Sequence, residues 1–272
     1  MLVAEDLHYN YPDGTHALKG INLEIQRGEA IAIMGPNGAG KTTLGKHLNG
    51  LLKPTSGKVC VDGQNTKNQP ISELARIVGY VVQDPDSQLF EKTVTREVAF
   101  GLFNLEYPPK EIDRRVNGIL QKLELEDVAE RSPLSLSMGQ KKRVTIASIL
   151  AMDTEFLVLD EPTLGQDYAN KERLKSLFKE FITNSKTVVL ITHDIEFALS
   201  FAGRLILMKD GKIISDTPKS QSNLCSTFLK KLRLYPPQMV QLSENIQKQI
   251  WPDFPTQLYT IEEVQKEIRK RW

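Results

Sequence analysis

Cysteine is nearly missing from this chain: 2 of 272 residues, Cys60 and Cys225, with no partner at metal-ligand spacing. This excludes a disulfide framework and a cysteine-built metal centre, and it fits a reducing compartment. A dominant charge sign is missing too. Lys and Arg number 35 against 34 Asp and Glu, for a formal net charge of +1. No global field therefore argues for nucleic acid or an anionic membrane surface. There is no apolar run of bilayer-spanning length. The opening Met1-Leu2-Val3-Ala4-Glu5-Asp6 is acidic early and lacks a signal-peptide core. A membrane role thus needs a membrane-embedded partner. Internal repeats and low-complexity tracts are also absent. Basic residues occur only in short clusters, Lys141-Lys142-Arg143, Lys230-Lys231 and Arg269-Lys270-Arg271, and each reads as a solvated helix face. The remaining composition, 40% hydrophobic and 25% charged, suffices for a full core and a small second domain.

One short stretch carries the strongest chemistry. Gly35-Pro36-Asn37-Gly38-Ala39-Gly40-Lys41-Thr42 fits the phosphate-cradling pattern G-x-x-x-x-G-K-[ST]. The apolar run Ala30-Ile31-Ala32-Ile33-Met34 before it reads as a buried strand, and the residues from Thr43 to Leu52 open a helix. Glycines let the backbone curl so that several N–H groups converge on one anion, and the helix N-terminus adds partial positive charge. Lys41 can reach β- and γ-phosphates, and the Thr42 hydroxyl can ligate Mg²⁺. The expectation is a site for a nucleoside triphosphate.

Around this loop the chain reads as α/β. Strands are expected at Leu2 to Leu7, Ile21–Ile25, Lys58–Gly63 and Val78–Val82, with a turn over Tyr9 to Gly14. Helical periodicity follows at Thr93 to Leu102, Lys110 to Leu125 and Gln140 to Met152. Residues 84–150 therefore read as a helical insertion between two sheet strands. Phe156–Asp160 and Thr187–Ile191 are continuous apolar runs, joined by a helix from Asn170 to about Asn184 into a βαβ unit. Arg204–Lys209 and Lys212–Ser215 form a hairpin across Asp210-Gly211. The composition shifts near 222, giving an expected division into 1–221 and a small C-terminal domain, 222–272. In the latter, Thr260 and Glu263 make a capping box for the final helix.

Several residues then become candidates. Asp160 ends a strand read as lying beside the P-loop strand, where a carboxylate can hold Mg²⁺, and Glu161 follows where a carboxylate can orient water and take its proton. His193 lies at the same sheet edge, able to bond a γ-phosphate oxygen or else to sit as a loop histidine. Gln83 ends a strand and can touch Mg²⁺ or the attacking water, or simply face solvent. Ser137 and the backbone at Gly139, before a helix, offer either a second anion site or an ordinary N-cap. Tyr11 can stack on a base or serve as a half-buried turn tyrosine.

In this order the motifs resemble the ATP-binding-cassette ATPases over approximately residues 1–220. Gly35–Thr42 resembles Walker A, Phe156–Asp160 with Glu161 resembles Walker B and the catalytic glutamate, and Gln83 the Q-loop. Leu136–Gln140 is similar to the LSGGQ signature, Leu164–Asp167 to the D-loop, His193 to the switch histidine and Tyr11 to the adenine-stacking aromatic. The run Gln83-Asp84-Pro85-Asp86-Ser87-Gln88-Leu89-Phe90 and the tail pattern Pro236-Pro237 with Thr260–Glu263 resemble energy-coupling-factor and cobalt-type transporter ATPases.

The resemblance implies a P-loop fold with a mixed core sheet, an antiparallel β subdomain and an α-helical subdomain. It implies ATP and Mg²⁺ as ligands. Gly35, Pro36, Asn37, Gly38, Ala39, Gly40, Lys41, Thr42 and Thr43 would bind nucleotide together with Tyr11, Ser137, Gly139 and Gln140. Thr42, Gln83 and Asp160 would hold the metal, and Glu161, His193 and Gln83 would act in catalysis. Two cassettes, like or unlike, would clasp ATP head to tail at the cytoplasmic face of the cell membrane. Their partners would be a transmembrane coupling protein and a substrate-binding membrane protein, met near Asp84–Phe90, with uptake of a vitamin or transition-metal ion as the outcome. A soluble cassette ATPase, for example in cluster assembly, is the alternative; nucleic acid is not an expected partner. Met138 replaces the usual signature glycine and Gln166 a common D-loop leucine. Both are expected at the partner-facing surface, favouring an unlike ATPase partner and a weaker site at this signature.

Overall fold

A central strand buried on both faces divides the interior into two cores and aims one loop outward. The computed structural model describes residues 1–222 and 224–272. Its elements are β1 (Leu2–Asn10), β2 (His16–Ile25), β3 (Ala30–Met34), α1 (Lys41–Leu48), β4 (Ser56–Val61), β5 (Gln64–Asn65), α2 (Ile71–Ile77) and β6 (Val78–Val81). There follow α3 (Val94–Asn104), α4 (Pro109–Lys122), α5 (Met138–Ala151), β7 (Phe156–Asp160), α6 (Tyr168–Thr183), β8 (Thr187–Ile191) and α7 (Ile195–Phe201). The chain closes with β9 (Arg204–Lys209), β10 (Lys212–Pro218), α8 (Ser226–Lys231), α9 (Gln238–Gln249) and α10 (Ile261–Arg269).

β2, β1, β4 and β5 form an antiparallel sheet; β10, β9, β3, β8, β7 and β6 form a second sheet in that order, parallel except for β10. Side chains alternate faces along a strand. Ile31 and Ile33 of β3 therefore join Leu2, Leu18, Leu44 and Leu48 between the two sheets. Ala32 and Met34 join Val98, Val144, Leu157, Leu159 and Phe178 on the helical side. α3, α4 and α5 lie in sequence between β6 and β7, which are hydrogen-bonded parallel neighbours. Ile112, Val116, Ile119 and Leu120 of α4 are buried along one face.

The structure corrects four local expectations. β1 continues through Tyr9 and Asn10, which pair with Leu18 and His16, so the turn is confined to residues 12–14. The short helix α2 has no counterpart in the sequence reading. β7 is not beside β3, because β8 lies between them. And the segment Lys141-Lys142-Arg143 is not a solvated face: Lys142 is 1% exposed.

The tail has little core of its own. Ile246, Phe254 and Val264 form a separate cluster, whereas Leu224, Leu229, Leu232 and Leu234 belong to the large helical-side core. Three buried side chains are too few to offset the conformational entropy lost in ordering the whole tail. The four leucines therefore anchor it. Thr260 and Glu263 form both halves of the capping box on α10.

Candidate active site

The P-loop leaves β3 and enters α1 through two positions that only glycine fits. A Cβ on Gly35 would lie 2.2 Å from the Met208 carbonyl oxygen, and one on Gly40, at φ +96°, 2.6 Å from that of Ala17. These contacts pin the loop against β9 and β2. Lys41 folds back across it, its Nζ donating to the carbonyls of Gly35 at 2.8 Å and Pro36 at 3.0 Å. Burial pushes its pKa down, against the opposing pull of Glu161 and Asp160. A phosphate arriving at the loop would take those donated protons in place of two neutral carbonyls.

A cleft of about 400 Å³ opens over the loop, lined by Tyr11, residues Asn37 to Thr43, Gln83, Asp160 and Glu161, with Thr15, His16 and Ala17 at one side. Thus the structure brings together Tyr11, most of the P-loop, Gln83, Asp160 and Glu161. The Tyr11 hydroxyl lies 3.0 Å from Thr43 Oγ1, and its ring meets Tyr9 edge-on at 4.9 Å. Those two contacts fix the ring at the rim, where a planar base can stack.

Asp160 is buried at the tip of β7. Its Oδ2 accepts from the Tyr80 hydroxyl at 2.9 Å, while Oδ1 is buried without a hydrogen-bond partner. Burial raises its pKa, and the nearby Thr42 and Tyr80 hydroxyls oppose the rise. An unpaired buried carboxylate oxygen beside a threonine hydroxyl and the Gln83 amide is a donor set suited to a hard cation. No cluster of three or more His, Cys, Asp or Glu suited to a metal occurs among the described residues. Such a cation would need oxygens from a ligand as well, as Mg²⁺ commonly takes from phosphates.

Glu161 follows with φ +50°, a left-handed conformation unusual for a side chain other than glycine. The kink turns its carboxylate toward the β8 end. Oε1 accepts from the His193 N–H at 3.1 Å and lies 2.8 Å from His193 Nδ1; Oε2 accepts from the Thr192 hydroxyl at 3.0 Å. His193 thus contacts Glu161 directly. It lines an adjoining cleft with Gly35, Pro36 and Asn37, whose far wall is Arg233, Leu234 and Tyr235 of the tail.

Ser137, Gly139 and Gln140 are not in the cleft. They form the N-terminus of α5, where Ser137 Oγ accepts from the Gln140 N–H and Gln140 Oε1 from the Ser137 N–H. Met138 is 52% exposed on this end, but Gln166 is only 9% exposed. Its Nε2 donates to the Gly139 carbonyl at 3.0 Å. The expectation that Gln166 faces outward is therefore corrected: it ties the D-loop to the signature within one chain.

Sequence reasoning missed four contributors. Tyr80 and Thr192 were legible only as a polar tip inside an apolar strand and a hydroxyl just past one. Lys142, whose Nζ donates to the carbonyls of Val82, Gln83 and Asp160, was hidden in a basic cluster. Arg233 gave no signal, since its proximity to the P-loop is purely a matter of packing.

Comparison with known proteins agrees with this geometry. A family model described as ABC transporter matches residues 18–164, more than half of the chain. Energy-coupling factor transporter ATP-binding proteins from Methanocaldococcus jannaschii and Methanothermobacter thermautotrophicus are 40% and 44% identical over 97% and 79% of the chain, which covers 95% and 70% of their lengths. The chain spans only 45% of a relative from Methanosarcina mazei, at 40% identity over 97% of this chain. Among solved structures, cbiO1 from Clostridium perfringens, described as part of the ABC transporter complex cbiONQ, superposes with TM-score 0.72 at 37% identity, covering 92% of this chain and 95% of that one. A dimeric ATP-binding cassette in a post-hydrolysis state with ADP and phosphate superposes with TM-score 0.74 at 33% identity, covering 80% of this chain and 98% of that one.

Proposed function

The chain belongs to the ABC transporter ATP-binding family, and from that premise we propose that it hydrolyses ATP as the energy-supplying subunit of an energy-coupling-factor type uptake system. The carrying observation is the single cleft in which a glycine-fixed P-loop, an aromatic rim, a buried carboxylate with one free oxygen and a second carboxylate converge.

In this reading the P-loop amides and Lys41 hold the β- and γ-phosphates, Thr43 and Tyr11 bound the nucleoside end, and Thr42, Gln83 and Asp160 hold Mg²⁺. The ion, when bound, neutralises charge on the phosphate oxygens. Glu161 orients the attacking water and takes its proton; Thr192 and His193 hold its carboxylate in that attitude, and His193 responds when the γ-phosphate leaves. Positioning and charge neutralisation suffice, since phosphoryl transfer asks little covalent chemistry of the protein. Ser137, Gly139 and Gln140 complete the site of a second cassette, because they cannot reach the cleft of their own chain. We take residues 1–221 as the ATP-binding unit and 222–272 as an accessory domain.

No helix among the described residues is long and apolar enough to cross a membrane. The coupling surface we propose is an aromatic face after Gln83. Phe90 and Phe103 are 59% and 60% exposed, with Phe100 meeting Phe90 edge-on at 4.8 Å. The buried Glu97 carboxylate accepts from the Phe90 and Glu91 N–H groups, holding the segment rigid. An apolar helix end of a membrane protein fits such a face. The micronutrient itself does not touch this subunit, so its class rests on the likeness to the named relatives. The test is co-purification in detergent with co-expressed membrane components: wild type should retain them, and Phe90→Asp with Phe103→Asp should lose them while keeping ATP hydrolysis. A protein that hydrolyses ATP yet binds no membrane component would favour a soluble cassette role.

A further inference from the structure

Resting on the ATPase reading above, we propose that Lys142 is a positioning residue that locks the start of the Q-loop to the end of the Walker B strand, so that the signature helix sets the placement of both. The argument begins with the ladder between β6 and β7, whose last pair is Val81 with Leu159. Beyond it the two strands part, and the carbonyls of Val82, Gln83 and Asp160 have no sheet partner in each other. Lys142 reaches into that gap from the start of the second turn of α5. Its Nζ donates at 2.7 Å to Val82, 2.8 Å to Gln83 and 3.1 Å to Asp160. All three ammonium protons are thereby used.

The placement is costly. The side chain is 1% exposed and none of its three acceptors is charged. Burial pushes its pKa down to about 8, although Asp160, Glu161 and Asp84 favour the charged form. A methionine of similar length would fill the same space with no charge to desolvate. What an apolar residue cannot do is hold three carbonyls from two separate motifs in one arrangement.

The neighbouring contacts make α5 and the Q-loop one unit. Lys141 pairs with Asp86 at 2.7 Å, and Gln88 bonds Ser148. Lys142 alone among these extends the unit to the Walker B strand. The helix that presents Ser137 and Gly139 to a second cassette is therefore fastened, one turn later, to the residues that would hold water and metal in its own. Movement of the signature at one nucleotide displaces Gln83 and Asp160 at the other.

Lys142→Met and Lys142→Gln, made in the ATPase with whatever second cassette its turnover requires, test this. Turnover should fall by about 10–100-fold, the effect of losing placement by roughly an ångström. Affinity for ATP, measured by titration, should stay within about threefold, because the P-loop is untouched. Combining Lys142→Met with Gln83→Ala should slow turnover by no more than about twofold beyond the slower single variant, since both act through one group. Turnover within twofold of wild type in both variants overturns the proposal. So does a parallel loss of turnover and ATP affinity with a multiplicative Gln83→Ala effect, which would mark Lys142 as merely structural. Should Lys142→Met not fold, Lys142→Gln, which keeps an amide donor, carries the same comparison. Absence of ATP hydrolysis in the wild-type assembly would refute the ATPase reading itself, a different outcome from normal turnover in the variants.

Discussion

On the mechanism proposed above, Glu161→Gln isolates the proton-accepting step from everything else the cleft does. The carboxylate now accepts from the His193 N–H through Oε1 and from the Thr192 hydroxyl through Oε2. An amide can keep its oxygen on the His193 N–H. Its NH₂ group then faces the Thr192 oxygen, which already accepts from the Asp194 N–H at 3.0 Å. The charge-assisted bond from Thr192 is weakened and the contacts with His193 lose their charge, which costs about 1.5–3 kcal/mol of stability. The loss in rate is larger. A positioned general base contributes about 10²–10⁴-fold, and its removal raises the barrier by roughly 2.7–5.4 kcal/mol. Phosphate release at saturating Mg·ATP should therefore drop by two to four orders of magnitude. Binding of ATP should be equal or tighter, because one negative charge facing the γ-phosphate is gone. The thermal midpoint should move by only a few degrees. Turnover within about threefold of wild type would refute Glu161 as the base, and a matched loss of ATP affinity would place it in binding instead.

Two further outcomes follow from particular contacts. Tyr11→Ala should weaken ATP binding by about 1–3 kcal/mol, the worth of one aromatic–base stack, and should weaken triphosphate without a base hardly at all; a titration comparing ATP with tripolyphosphate reads the difference. Gln166→Leu removes the bond to Gly139 but also the buried, unpartnered Oε1. Losing a hydrogen bond costs about 1 kcal/mol and removing an unsatisfied buried acceptor returns about 1–3 kcal/mol, so thermal stability should hold or rise. A clear fall in the melting midpoint would show that the Gln166 contact dominates.

Much of the fold was legible because the relevant signals are local. β3, β7 and β8 are continuous apolar runs bounded by polar residues, and the structure places them at the expected boundaries. Ser137 starts α5 two residues before the periodicity does, and Asp167 starts α6 early in the same way, because a cap acts ahead of the first apolar contact. The P-loop was legible because anion binding demands its glycines in one short segment. What escaped was set by residues distant in sequence. Nothing around Lys142 says that three carbonyls await it, and nothing around Gln166 says that it turns inward. Strand order escaped as well: β8 separates β7 from β3 although β7 comes first in the chain. Arg233 shares a cleft with Gly35, Pro36 and Asn37 because Leu229, Leu232 and Leu234 dock the tail into the main core.

Calorimetric titration of ATP into the purified protein, with Mg²⁺ and again with the ion chelated, tests the central claim most directly, with Lys41→Ala as the comparison. Saturable binding at one site per chain, stronger with Mg²⁺ and lost or greatly weakened in Lys41→Ala, is the predicted result. No magnesium-dependent affinity for ATP, or affinity indifferent to Lys41, alone and with its second cassette, would contradict it.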